Sequence, residues 1–198
     1  MKVQYPSAVQ NFRLHSKGRC VVVEEKIKSS KDYTLRESII EHLFVGQVLK
    51  ALWAKERFDV EVLKPQVDNA GYDLVIGFNS GSKRDCPTIR HIQLKSSNAD
   101  GKRDSVNVSL KLAEKPNWCV IWIFVDGKLD FESFLWFDSK ICGCPFKDAD
   151  FKKTKHSKGD STGTKAERPG LREVPKTRFK KLSSLGDVID RLFEEAPE

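Results

Sequence analysis

Four side chains in this sequence have the types and spacing to hold a divalent cation and hydrolyse an ester beside it. Asp73 opens the apolar run YDLVIGF (72–78). Asp is a poor strand residue, so at a strand mouth it needs a reason to be there. Gln93 and Lys95 flank Leu94 in RHIQLKSS (90–97), and the i, i+2 spacing sets both on one face of a strand with Leu94 on the other. Glu41 lies in a long apolar helical stretch, where a carboxylate is costly without a cation or donor. Asp73 supplies a hard oxygen, Gln93 a neutral one, the Leu94 backbone carbonyl a third, and Glu41 a fourth, directly or through water. Such donors suit Mg²⁺ (or Mn²⁺), which takes six oxygens and keeps several waters. A water polarised there and positioned by Lys95 could attack a phosphodiester, with the ammonium offsetting the charge that grows in the transition state. Singly, each residue has an ordinary explanation: an Asp that caps a turn, a Glu at the edge of an apolar stripe that reaches water, an amphipathic strand with a wet face.

The elements that must position these residues can be read from pattern. Thr34 followed by Glu37 is a capping box, and it predicts a helix from Leu35 to about Glu56, with positions 41, 45, 48 and 52 on one face. Three strands follow, over 58–64, 72–78 and 88–97. The second is nearly continuous in apolar residues, which predicts a central strand. Residues 79–87 form a turn-rich connection. A short strand or helix through 106–115 ends at Pro116, and WCVIWIFV (118–125) reads as a buried strand. Asp126-Gly127 marks a tight turn into 129–137, which pairs back as a hairpin. Residues 183–195 close the chain as an amphipathic helix. The order is that of an α/β protein with at least one helix packed on a mixed sheet. Residues 1–33 read as an N-terminal appendage with a hairpin over 11–27, residues 34–146 as the core, and 147–198 as a basic loop segment followed by a helix packed on the core.

Charge is concentrated. The chain of 198 residues carries a net +7, and residues 147–181 hold twelve Lys or Arg against five acids, so this one segment accounts for the whole excess. A basic segment on a neutral body is the footprint of a polyanion binder. Its loop predicts phosphate contacts from Lys155, His156, Lys158, Lys165 and Arg168, and strand-end Ser96 and Ser97 could donate to a phosphate. The loop lacks the GxxxxGK[ST] spacing of a nucleotide-binding P-loop. Five cysteines, an odd number without a dense framework, predict reduced thiols. Cys142-Gly-Cys144 has no second pair in zinc spacing. The start MKVQYPSAVQ has no apolar signal core, and no run approaches the roughly 20 apolar residues of a membrane span. The expectation is a cytoplasmic protein with no membrane partner.

The ordered set of Glu41, then GYD ending at Asp73, then Gln93-Leu94-Lys95 resembles the PD-(D/E)XK (restriction-endonuclease-like) nuclease superfamily. The resemblance implies a core of helix, three-strand meander, helix and strand, and a Mg²⁺-dependent endonuclease cutting DNA or RNA, in many cases as a homodimer; for this chain DNA is the expected substrate. Asp73 matches the metal-binding acid, Lys95 the motif lysine and Glu41 the helical acid. Gln93 stands where Asp or Glu is usual, as in branches that carry Gln-x-Lys. HLFVGQVLKALW, GYDLVIGF, RHIQLKSS and HSKGDSTGTKAERPG also resemble an uncharacterised bacterial family. Two alternatives stay open at this level: a nuclease-like fold that binds nucleic acid without cutting it, and a protein-interaction domain.

Overall fold

A computed structural model describes residues 30–67, 69–79, 88–138, 151–155 and 165–193. The hairpin read at 11–27, most of the connection at 79–87, and His156 and Lys158 lie outside the described residues. The chain folds as an α/β structure with a six-stranded mixed sheet and a second, three-stranded sheet.

Helix α1 spans Ser30–Ala54. It begins before the Thr34–Glu37 pattern, which therefore lies inside the helix instead of starting it. No Gly or Pro interrupts residues 30–34, and Asp32 in the first turn favours the positive end of the helix dipole. The buried face is Ile40, Phe44, Val48 and Leu52; it keeps positions 48 and 52 of the expected stripe but takes 40 and 44 in place of 41 and 45. Glu41 is displaced to its edge as a result.

Strands β1 (Val60–Leu63), β2 (Leu74–Phe78) and β3 (Thr88–Asn98) form an antiparallel meander. Strand β4 (Ser105–Ser109) and the single turn α2 (Leu110–Ala113) lead to β5 (Trp118–Val125), which runs parallel to β3. Strand β6 (Phe131–Asp138) returns antiparallel. The Asp126 carboxylate shapes that turn by accepting the Lys128 and Asp130 N–H groups. After β7 (Lys152–Lys155) and β8 (Glu167–Pro175) come a 3₁₀ turn at Lys176–Arg178, β9 (Lys180–Leu182) and α3 (Leu185–Phe193). The large sheet has the order β1-β2-β3-β5-β6-β9, and the small one β4-β8-β7.

β5 is buried on both faces along its whole length, which its unbroken apolar run requires. Cys119, Ile121, Ile123 and Val125 pack with α1 and α3; Trp118, Val120, Trp122 and Phe124 pack with the second sheet and α2. β2, expected to be central, instead sits beside the edge strand, with every second residue only half buried. β7, β8 and β9 lie within the segment read as a basic loop. Their outward residues are mostly charged, so the apolar alternation that signals a strand is weak there. Two caps tie α3 down. Ser184 and Asp187 bond reciprocally at its start, a capping box. At its end buried Arg90 of β3 donates to the Leu192 and Arg191 carbonyls. Among the described residues no helix is long and apolar enough to cross a membrane.

Candidate functional site

The meander brings Asp73 and Gln93 side by side. Leu74 pairs with Ile92, so Asp73, one residue before β2 begins, stands opposite Gln93. Its N–H donates to the Ile92 carbonyl at 2.8 Å, and its Oδ2 accepts the Leu94 N–H at 2.7 Å. β2 has no residue in strand pairing beyond this point, and the carboxylate takes the place of the missing strand partner. A strand residue points its N–H and C=O to the same side. The Leu94 carbonyl therefore faces the same gap past the mouth of β2 as the N–H that Asp73 receives.

Strand alternation then sorts the rest. Gln93, Lys95 and Ser97 lie in register with Val120, Trp122 and Phe124, on the sheet face turned to the second sheet and α2. Ile92, Leu94 and Ser96 take the face that α1 covers. Gln93 is 7% exposed, so this is not a solvated strand face. Its Oε1 accepts the Ser109 N–H at 3.4 Å, a long and weak bond. Lys95 is half buried.

Glu41 approaches from the other layer. Its carboxylate pairs with Lys64, the residue after β1. Because Leu63 pairs with Val75, that ion pair lies at the same end of the sheet as Asp73, beneath the α1 face and not on the face of Gln93 and Lys95. The serines depart from expectation. Ser97 is buried and its hydroxyl accepts the Trp122 indole N–H at 2.9 Å, which makes it a packing partner and not an accessible phosphate donor. Ser96 accepts from Arg36, which also donates to Asn98; it belongs to the α1 face. Of the basic residues, Lys155, Lys165 and Arg168 are all exposed.

Beside the site, Ser109 escaped sequence reading, and Gly71 reads from sequence only as a turn residue ahead of Asp73. Gly71 has φ +78°, and a Cβ there would collide with the Ser109 side chain. Glycine is thus required twice, for the left-handed backbone and for the close approach. This lets the chain turn tightly into Asp73 against the end of β4. The signal was the G of GYD, visible but without a partner until β4 was placed. Tyr72 packs edge-on against His91, ring centroids 5.1 Å apart, and Lys111 of α2 donates to the Asn69 carbonyl, so both sides of the turn are held.

Among the described residues no three His, Cys, Asp or Glu side chains gather as a metal site. A cation here would rest on one strand-held carboxylate, one amide oxygen and one backbone carbonyl, all hard oxygen donors of the kind Mg²⁺ takes. Cys119, one strand away, plays no part: it is buried beneath α1, and burial pushes its thiol pKa far above the usual range, so it stays protonated and inert.

No family model matches the chain, and no curated protein matches it. Among solved structures it is similar to a nuclease from a fusselovirus, at 12% identity and a TM-score of 0.43, over 84% of this chain and 94% of that one. A likeness that slight does not bear on what this chain does.

Proposed function

We propose that this protein is a metal-dependent endonuclease that hydrolyses phosphodiester bonds in DNA, built on a restriction-endonuclease-like core. The observation that carries the reading is the placement of Asp73 opposite Gln93, its carboxylate bound to the Leu94 N–H, with Lys95 two residues on along the same face. Asp73, Gln93 and the Leu94 carbonyl would hold Mg²⁺ or Mn²⁺, while Glu41, paired with Lys64 on the α1 side of the sheet, could reach the site only through water. A cation held by these oxygens would supply Lewis acidity for water activation and for charge on the phosphate. Asp73 orients the site because its own carboxylate is fixed between two strands. Lys95 holds the attacking water and the phosphate oxygen in line, and its ammonium offsets negative charge as it develops. Half-burial of Lys95 strengthens that interaction relative to bulk water.

The test is incubation of duplex DNA with Mg²⁺ or Mn²⁺ and the wild type, Asp73→Ala and Lys95→Ala. We expect cleavage by the wild type and a loss of at least about 100-fold in each variant, the scale on which one positioned charge matters. Cleavage unchanged in both variants would overturn the assignment.

One observation favours a second reading, a nuclease-like domain that binds nucleic acid without cutting it. The position beside Asp73 is an amide, so the site has one strand-held carboxylate where a catalytic metal usually has two. Calorimetric titration with Mn²⁺ separates the readings, because the binding-only protein takes up no metal that Asp73→Ala abolishes.

A further inference from the structure

The basic segment contains two described strands, β7 and β8, paired as a ribbon whose base is tied to β4 by Thr154, which is buried and donates to Asn107. Ser109 ends β4 opposite Leu171 of β8, and β8 continues N-terminally through Glu167–Gly170, four consecutive exposed residues. Its partner in this stretch is β7 alone, through Thr154–Arg168 and Lys155–Glu167. A Cβ added at Gly170 meets nothing within 4 Å among the described residues, so that side of Gly170 is open. At its root the register slips between Lys153 and Thr154: their β8 partners are Arg172 and Arg168. The residues between bulge out of the ladder, and a bulge of this kind bends and twists a ribbon. Buried Arg172 holds the bulge by donating to the Pro169 and Leu171 carbonyls at 2.7 and 2.8 Å.

The root lies beside the candidate site. Ser109, where the ribbon leaves β4, donates to Gln93 and touches the Gly71 turn that leads to Asp73. Among the described residues of the ribbon and the approach to it, the exposed charged side chains are Lys152, Lys153, Lys155, Lys165 and Arg168 against a single acid, Glu167. Glu167 pairs with Lys153 at 3.6 Å, both more than half exposed, an ion pair worth little and readily exchanged for a phosphate.

We propose that the β7–β8 ribbon is a groove-reading arm for double-stranded DNA, aimed by its bulge so that the duplex lies across Asp73 and Gln93. The proposal rests on the phosphodiesterase reading of that site and names its substrate as a duplex. A two-stranded ribbon fits the roughly 12 Å major groove of B-form DNA, whereas the A-form major groove of RNA is too narrow for it. Single-strand binders stack bases on exposed aromatic rings. The described ribbon presents none: Phe151 is buried, and the outward residues are charged, Ala, Pro or Gly.

The test measures binding by fluorescence anisotropy in EDTA, so that no cleavage contributes. The probes are a 20-base-pair DNA duplex, its single strand and the same sequence as duplex RNA. The wild type should bind duplex DNA about 10-fold or more tighter than either alternative. The double variant Lys155→Ser/Arg168→Ser should lose about 10-fold in duplex affinity, and its log–log salt slope should fall by about two, one for each phosphate contact removed. The matched control Lys50→Ser/Lys128→Ser removes equal charge from the outer face of α1 and the β5–β6 turn, and should stay within about 2-fold. Circular dichroism melting confirms that both variants fold. Equal weakening in the control, preference for single strands or RNA, or no binding overturns the arm. Failure of the two proposals is distinguishable. Arm-dependent duplex binding without cleavage keeps the arm and removes the hydrolytic reading. Cleavage with unaltered duplex binding in the arm variant does the reverse.

Discussion

Gln93 is the residue of the candidate site that departs from a two-carboxylate pattern, and it is buried against Ser109. Gln93→Glu is nearly isosteric and adds a buried charge. Without metal that charge is costly, so the variant should melt lower than the wild type in EDTA. Mn²⁺ should then raise its midpoint by more than it raises the wild type's, because ligand binding to the folded state stabilises it in proportion to affinity. Thermal melts with and without Mn²⁺ check this, and no Mn²⁺ shift in either protein removes the metal site. Asp187 offers a pH test at the same scale. Backbone N–H bonds from Ser183 and Ser184 hold its carboxyl below the usual Asp pKa, which is about 3.9. A group with a depressed folded pKa contributes stability above its unfolded pKa and loses it as pH falls through the folded value. The gap in urea midpoint between wild type and Asp187→Asn should therefore be present at neutral pH and close below about pH 4. A gap unchanged in acid would mean that the cap acts through shape and not charge.

At the scale of elements, the turn into β2 and the packing of α1 are the two supports to test. Gly71→Ala forces a side chain into both a left-handed backbone and the Ser109 contact, costing about 1–3 kcal/mol. It should also lower activity, because Asp73 is two residues on. Denaturant unfolding and cleavage rates together check it; full activity in a destabilised variant would show that the turn supports the fold without aiming Asp73. Phe44, fully buried between α1 and the sheet, should cost about 3–5 kcal/mol as Ala, with its effect on cleavage limited to the fraction unfolded. The capping boxes show how far local pattern reaches. Thr34–Glu37 matches the motif and starts nothing, whereas Ser184–Asp187 does cap a helix. A cap works only where the chain preceding it leaves the helical path, and that depends on what the helix packs against.

For the whole molecule, the large sheet has a core on each face, one under α1 and α3 and one against the second sheet and α2, with β5 contributing to both, and among the described residues much of the basic surplus lies on strands. Duplex binding should weaken steeply with salt for the intact protein, as counterion release requires. A flat response between about 50 and 200 mM salt would return the basic strands to the role of a charged solvent face. The three strands 58–64, 72–78 and 88–97, the buried strand at 118–125 and the β5–β6 hairpin were legible because alternation and unbroken apolar runs follow directly from which faces are covered, whereas the parallel pairing of β5 with β3 appears only in the register. The second sheet was not legible, because β7 and β8 bury few apolar residues and pair through backbone groups that leave no pattern in side chains.

The amino-acid sequence alone determined which residues could do chemistry: an Asp at a strand mouth, an amide and a lysine two apart, and a cluster of positive charge. Local spacing sets strand faces, and strand faces set which side chains travel together. Only the tertiary structure decided that Asp73 meets Leu94 and Gln93, that Glu41 comes from the opposite layer beside Lys64, that Ser97 serves Trp122, and that the ribbon springs from beside the site. Those are contacts between residues from 16 to 62 positions apart. They follow from register and layer order, which no short stretch of sequence contains.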